Sequence, residues 1–231
     1  MISIIIPTFN EADQILTTIG QVNETSADDQ FEIIVADGGS TDDTAALAKQ
    51  GGAIVLNSPR KGRATQMNAG AKQAKGDILY FLHADTIPPK GYLVDIKEAV
   101  TNGYAAGCFM LSFDHSHWFL KANCWFTRFD VDAIRFGDQS LFVTKTAFEK
   151  AGGFAEGHIV MEDQELIKRL RKKVRFKIIK KPVITSARKY LENGIYKTQG
   201  IFFLIFFLYK FGYSQHKLVR IYKKLMTQNK I

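Results

Sequence analysis

The sequence predicts an α/β fold: a doubly wound, mostly parallel sheet with flanking helices and a C-terminal helical hairpin. Three observations carry that expectation. Apolar runs rich in β-branched residues recur at Ile2 to Ile6, Ile33 to Ala36 and Ile78 to Leu82, each bounded by turn chemistry. Short runs without polar alternation are strands buried on both faces, as in a parallel sheet covered by helices. Each run also stops in small, acidic and hydroxyl residues: Pro7, Thr8, Asn10 and Glu11; Asp37, Gly38, Gly39, Ser40, Thr41 and Asp42; His83, Ala84 and Asp85. Ligands of such sheets bind beyond the carboxyl ends of the strands, so these three ends mark the site.

Taken in order, the connecting stretches return the chain to the start of the next strand. Asp42, Asp43 and Thr44 can cap a helix through Leu47 and Ala48, which Gly51-Gly52 stops. Ala53 to Leu56 follows as a fourth strand. Lys61-Gly62-Arg63 opens a second helix through Met67, Ala71 and Ala74, which Gly76 closes. Strand, helix, strand, helix makes a doubly wound half. Trp118-Phe119-Leu120, Trp125-Phe126 and Phe129 recur at roughly helical spacing and read first as core, with a wall of a ligand site as the alternative. Phe136-Gly137-Asp138-Gln139 forms a turn before the apolar strand Leu141 to Val143. Met161-Glu162-Asp163 precedes a helical Leu166, Leu170 pattern, which puts both acids at a helix N-terminus, where the dipole and unpaired N–H groups favour a carboxylate.

The end of the chain differs in character. Gly200 to Tyr209 is an unbroken apolar run of ten residues, half of the ~20 that span a bilayer. His216 to Met226 places Leu218, Ile221, Tyr222 and Leu225 on one face and Lys217, Arg220, Lys223 and Lys224 largely on the other, a basic amphipathic helix suited to an anionic lipid surface. The same hairpin could pack instead on the catalytic domain or on a second copy in a homodimer. Residues 1–190 are read as the catalytic domain and 191–231 as the tail.

Length and composition agree. A chain of 231 residues suits one sizeable core with an appendage. Residues 1–167 hold 13 Lys+Arg against 22 Asp+Glu, a net −9, whereas residues 168–231 hold 18 against 1, a net +17. That asymmetry points to a polyanionic partner surface. Cys108 and Cys124 have no ligand spacing and read as reduced core thiols, and Met1 leads directly into a strand without a basic leader; both fit a cytoplasmic chain. His115, His117, His158 and His216 share no spacing that would make a metal cluster.

Asp85, in a loop at a strand end, can ligate a hard divalent cation that bridges to substrate phosphates. Asp37 beside Gly38 and Gly39 is nucleotide-site chemistry: a carboxylate for ribose or a base edge, and glycines that admit the backbone, although the spacing is not the dinucleotide fingerprint.

Ile4-Ile5-Ile6-Pro7-Thr8-Phe9-Asn10-Glu11, Val35-Ala36-Asp37-Gly38-Gly39-Ser40-Thr41-Asp42 and His83-Ala84-Asp85 together resemble the family 2 glycosyltransferases with the glycosyltransferase A fold. The resemblance continues through Gly137-Asp138-Gln139, Gly152-Gly153-Phe154 and Glu162-Asp163. It implies that Pro7, Thr8 and Glu11 form the first nucleotide-contacting segment and that Asp37 contacts the base or ribose of a nucleotide-sugar. It makes Asp85 the metal-binding end of an Asp-X-Asp motif, for Mg2+ or Mn2+. His83 replaces the first Asp there, a departure that bears on the ribose contact, with Ala84 between the two. Lys61 and Arg63 resemble a loop whose cations offset diphosphate charge. Asp163 matches the general base of an inverting transfer, with Asp138 and Glu162 as acceptor-side candidates. Arg169 and Arg188 are further candidates for the diphosphate.

The expected function is therefore a metal-dependent inverting glycosyltransferase. It would take a UDP- or GDP-type nucleotide-sugar and an acceptor that could be lipid-linked, peripheral on the inner face of the cell membrane. The alternative is a nucleotidyltransferase acting on sugar phosphates, which would normally carry a glycine- and basic-rich loop directly after the first strand. A non-catalytic nucleic-acid binder would leave the strand-end acids without a role, so no nucleic acid is expected as partner.

Overall fold

A computed structural model describes residues 1–25, 30–130 and 137–227; Phe136, in the turn expected before Leu141, lies outside them. β1 (Ile2–Thr8), β2 (Phe31–Asp37), β3 (Ile54–Asn57) and β4 (Ile78–Phe81) pair in parallel in the order β3-β2-β1-β4. Their crossovers are α1 (Ala12–Thr25), α2 (Thr44–Gln50) and α3 (Arg63–Gln73). The chain thus winds outward from β1 to β3 and returns on the other side of β1, the expected double winding. Alternation along β1 feeds two cores. Ile4 and Ile6 pack with Ile15 and Ile19 of α1, and Ile5 packs with Met67 and Ala71 of α3. A strand covered by helices on both faces favours apolar residues at successive positions, and the one polar residue of the run, Ser3, is buried with its hydroxyl bonded to Glu32 and Gly76 N.

The second half adds β5 (Thr86–Ile87), α4 (Tyr92–Thr101), β6 (Ala106–Phe113), α5 (Trp118–Phe126) and a 3-10 turn at Gly137–Gln139. Then come β7 (Leu141–Thr144), α6 (Lys145–Ala151), α7 (Glu162–Arg171) and β8 (Phe176–Thr185). The full order is β3-β2-β1-β4-β7-β6-β8-β5. β7 lies antiparallel between β4 and β6, β8 runs parallel to β6, and β5 pairs antiparallel with β8. The sheet is mostly parallel, as expected, with β7 as the seam between its halves. α8 (Arg188–Asn193), α9 (Ile195–Lys210) and α10 (Gln215–Leu225) end the described chain.

Four local expectations are corrected. The fourth run is an edge strand, not a doubly buried one, and Ile54 is 42% exposed on β3. Gly76 is not the stop of α3, which ends at Gln73. A Cβ on Gly76 would stand 2.8 Å from both the Met1 carbonyl oxygen and Ser3 N, so the residue serves a close pass over the start of β1. Asp43 takes the cap position of α2 without a side-chain cap bond; it is Asp42 whose carboxylate accepts from Thr44 N at 3.1 Å, and it also accepts from Ala12 N at 3.3 Å, joining the loops after β1 and β2. Finally, the aromatic segment is not core: Leu120 is buried, but Trp118, Trp125, Phe126 and Phe129 are all exposed on and beside α5.

The tail forms a hairpin that packs on the rest of the chain. Tyr222 and Met226 close on Ile201 and Ile205 of α9, with Val160 and Met161 against the same cluster, and Leu218 is fully buried. The apolar face of α10 is thus consumed internally. The exposed apolar surface lies on and just after α9, at Phe203, Leu204, Phe207, Phe211 and Tyr213. Among the described residues, no helix is long and apolar enough to cross a membrane.

Candidate active site

The carboxyl ends of β1 and β2 are locked together by hydrogen bonds. Thr8 stands opposite Asp37 in the parallel register, and its hydroxyl donates to Asp37 Oδ1 at 3.1 Å. The other Asp37 oxygen accepts from Gly39 N at 3.0 Å and Ser40 N at 2.8 Å. Asp37 is 3% exposed, so this carboxylate shapes its own turn as well as facing the strand end. Gln66, a residue with no sequence signal, reaches from α3 between the two strands and donates Nε2 to Thr8 O at 2.6 Å and Ala36 O at 2.9 Å. A Cβ on Gly38 would lie 2.9 Å from that Nε2, which is why glycine follows Asp37. On the loop after β1, Asn10 N donates to Ser40 Oγ and Asn10 Oδ1 accepts from Thr41 N, both at 2.9 Å. Glu11 N donates to Thr44 Oγ1 at 2.8 Å, and its carboxylate lies 3.6 Å from Arg188. Pro7 is half-buried between Thr8 and the rest of β1.

The third strand end is equally fixed. Thr18 of α1 donates to Ala84 O, Ser186 N donates to Asp85 O at 3.2 Å, and Thr86 Oγ1 donates to Thr185 Oγ1 at 2.9 Å. The His83-Ala84-Asp85 turn is thereby clamped between α1 and β8.

Around this turn the structure gathers residues from four separate stretches. Arg63, at the start of α3, faces the buried Glu162 carboxylate at 3.2 Å. Its pKa is raised, foremost by Glu162 against the opposing effect of burial, with Asp163, Asp138 and Asp85 adding to it. His83 Nδ1 lies 3.2 Å from Asp138 Oδ1. Burial works against the imidazolium, but the hydrogen bond to Asp138 and the charges of Asp138 and Asp163 together outweigh it and raise His83. Burial likewise pushes Asp138 up, and the His83 contact together with surrounding cations brings it down to about 2.

Asp163 behaves in the opposite way. It is 7% exposed, and burial first, then repulsion from Glu162, lifts its carboxyl to about 7. Arg63 and His83 pull it back only in part. Asp138 and Asp163, two acids of one cluster whose proton affinities shift in opposite directions, form the arrangement that assigns acid and base roles in active sites. The three non-glycine residues with positive φ among the described chain, Asn10, Ser140 and Met161, all adjoin this site. Such backbone persists only where its surroundings impose it.

Not every candidate joins the cluster. Lys61 is exposed and rests over the Phe9 ring at 5.0 Å, next to the end of β1. Arg169 is structural: it grips Glu165 at 2.6 Å and donates to Gly153 O at 2.8 Å and to Ala151 O. A cavity of about 290 Å³ opens beside β6, lined by Phe113, Asp114, His115, Lys121, Cys124 and Ile184 among others. Asp138 lies close enough to Cys124 to help raise its thiol to about 12, although burial is the larger cause.

A divalent cation fits this donor set. Asp85 offers a hard carboxylate oxygen in a cleft where Asp138, Glu162 and Asp163 outnumber Arg63 and His83. Among the described residues no three His, Cys, Asp or Glu side chains converge to cage a metal, so substrate oxygens would complete its shell.

These features have counterparts in known proteins. Solved structures share the fold: a mannosyltransferase from Pyrobaculum calidifontis in complex with GDP-Man and Mn2+ superposes with a TM-score of 0.73 at 15% identity, over 97% of this chain and 69% of that one. S. aureus TarS 1–349 in complex with UDP-GlcNAc gives 0.67 at 15%, over 97% and 71%. Both show the glycosyltransferase A architecture. In sequence, glycosyltransferase AglE of Haloferax volcanii is 32% identical over 99 residues, 40% of this chain and 33% of that protein. The undecaprenyl-phosphate 4-deoxy-4-formamido-L-arabinose transferase of Aeromonas hydrophila is 30% identical over 132 residues, 52% and 40% respectively. The matched stretches thus span well under half the length of these relatives. The model of glycosyl transferase family 2 matches residues 3–152, which contain β1 through α6 and every strand end described above. Its reach stops short of Asp163 but takes in Asp37, Arg63, Asp85 and Asp138, and on that match the chain belongs to glycosyl transferase family 2.

Proposed function

We propose that the protein transfers a sugar, with inversion and with the help of a divalent metal, from a UDP- or GDP-type nucleotide-sugar to an acceptor hydroxyl near a membrane. The observation that carries this reading is the convergence of Arg63, His83, Asp85 and Asp138 with a buried Asp163 whose proton affinity is raised to about 7. A base tuned near working pH accepts a proton efficiently in the transition state. The acceptor O–H would give its proton to Asp163 as its oxygen attacks the anomeric carbon. The bond from that carbon to the diphosphate oxygen breaks, and its electron pair leaves with the nucleoside diphosphate. Attack from the face opposite the leaving group inverts the configuration.

Nucleotide recognition falls to the locked ends of β1 and β2, with Pro7, Thr8, Glu11, Asp37 and Gly38 facing the base and ribose. Ala84 and His83 would flank the ribose side, and Arg63 and Lys61 would offset diphosphate charge. Mg2+ or Mn2+ held by Asp85 would neutralise charge developing on the leaving group. The cavity beside Cys124, whose thiol feels the charge of Asp138, would receive the acceptor. A lipid-linked acceptor is supported by relatives named for undecaprenyl-phosphate and dolichol-phosphate.

The test is a panel of nucleotide-sugars scored by thermal shift with Mn2+ or Mg2+, since ligand at 100 times its dissociation constant stabilises by ~2.7 kcal/mol. Asp85→Ala should lose the metal-dependent part of that stabilisation. Asp163→Asn should keep donor binding and lose transfer. Transfer by Asp163→Asn at the wild-type rate, or a product that retains the donor's configuration, would overturn the mechanism.

A further inference from the structure

α10 begins by holding the loop that delivers Asp163. Gln215, its first residue, accepts through Oε1 from the N–H groups of Ile159 and Val160, each at 3.0 Å. Met161 comes next, at φ 63° and ψ 21°, and α7 starts directly after it with Glu162 and Asp163. A long side chain in that left-handed region is held there by its neighbours. Val160 and Met161 pack on Ile201, Ile205, Tyr222 and Met226 of the hairpin, and the His158 ring stands edge-on to Tyr209 at 5.9 Å. The first part of this loop is tied to the α/β body, through Asn68 with Phe154 and Arg60 with Glu156. Its second part, nearest the carboxylate, is tied to the hairpin.

We infer that Gln215 is a positioning residue for sugar transfer. It fixes the backbone from Ile159 to Met161 and with it the first turn of α7, and it acts on the reaction through Asp163 without touching substrate. The inference rests on the reading of Asp163 as the base. One amide oxygen with two lone pairs matches two converging N–H donors. Its removal strands two half-buried donors, whose lost partners the loop can recover only by moving. A movement of that kind displaces the carboxylate from the acceptor oxygen, and displacements of about 1 Å cost about a hundredfold in rate. The hairpin is on this account part of the catalytic apparatus and not an appendage to residues 1–190.

The test uses the full chain with Gln215→Leu, which removes the acceptor, Gln215→Asn, which shortens its reach, and Gln215→Glu, which keeps an oxygen in place. Amide hydrogen exchange is followed across residues 159–163. Nucleoside diphosphate release is followed from UDP-GlcNAc and from GDP-mannose with Mn2+. The Leu and Asn variants should exchange about tenfold faster in that segment and lose about ten- to a hundredfold in kcat, with donor KM changed less than about twofold. Gln215→Glu should restore both. In an Asp163→Asn background, Gln215→Leu should cost nothing further, because the two act as a unit. Unchanged exchange in the Leu and Asn variants, a Glu variant as impaired as the Leu variant, or a loss confined to KM would each overturn the inference. Should the Leu variant fail to fold, the Asn and Glu pair decides. An inactive Asp163→Asn beside a Gln215→Leu of normal kcat sinks only the role of Gln215, whereas an Asp163→Asn that transfers normally sinks the base itself.

Discussion

Glu162 and Asp163 are adjacent acids in different surroundings, and Arg63 sits against the first of them. Glu162 has the guanidinium at 3.2 Å, whereas burial and the charge of Glu162 hold the Asp163 proton to about 7. The consequence for stability has a definite sign. A carboxyl whose folded pKa lies above its unfolded 3.8 favours the fold fully below about pH 3.8, and that contribution is lost as pH rises through about 7. Asp163→Asn in metal-free buffer should therefore match wild type near pH 4 and exceed it near pH 8. The gain should be a few kcal/mol at most, since each tenfold change in proton affinity is worth about 1.4 kcal/mol. Urea unfolding at the two pH values measures it, and equal differences at both would remove the raised proton affinity. The acids themselves were legible in the sequence as a helix N-terminus. The raised proton affinity of Asp163 was not, because it comes first from burial, which residues distant in the chain impose. Gln66 is a harder case: nothing in its helical surroundings marks a side chain that bridges two strand ends.

Among the helices, periodicity identifies an apolar face without saying what covers it. The amphipathic pattern of α10 is real, yet Leu218 and Tyr222 turn toward the protein, and the exposed apolar side chains of the hairpin lie on the outward side of α9. The same ambiguity misplaced α5, whose regularly spaced aromatics suit a core helix equally well. Its outer side meets that of α9 through Phe119 and Tyr196, whose rings lie 4.9 Å apart. Exposed Trp, Phe and Tyr side chains of this kind suit a membrane interface. Replacing Phe207 and Phe211, which are 55% and 80% exposed, by serine should leave the fold unchanged by circular dichroism and weaken sedimentation with anionic vesicles severalfold. Undiminished sedimentation would transfer the contact elsewhere. This pair is a cleaner probe than truncation at Asn193, which would also remove Gln215 from the loop before α7.

Across the molecule as a unit, the charge asymmetry survives folding. Among the described residues, no ion pair joins Lys197, Lys210, Lys217, Arg220, Lys223 or Lys224 to a carboxylate, and the proposal to test is that these cations meet an anionic surface. Juxtaposed basic residues contribute ~1 kcal/mol each near such a surface, within a screening distance of about 10 Å at 0.1 M salt. The intact protein should bind vesicles containing anionic lipid, bind neutral vesicles only weakly, and release progressively between low and high salt. Binding indifferent to salt would leave the apolar contact of α9 as the whole of the attraction.

Local pattern was enough to specify the doubly wound half, the three strand ends that carry the site and the residue types gathered there. A strand buried on both faces is mostly apolar, and its end must turn, so both properties are written in neighbouring residues. Long-range packing settled the rest: that β7 enters antiparallel, that Gly76 serves a close pass and not a helix stop, and that the tail turns its apolar face inward onto the loop before Asp163. Each of these depends on contacts between residues distant in the chain. Packing chooses among partners that local pattern leaves equivalent, and here it chose the tail to hold the loop that carries the candidate base.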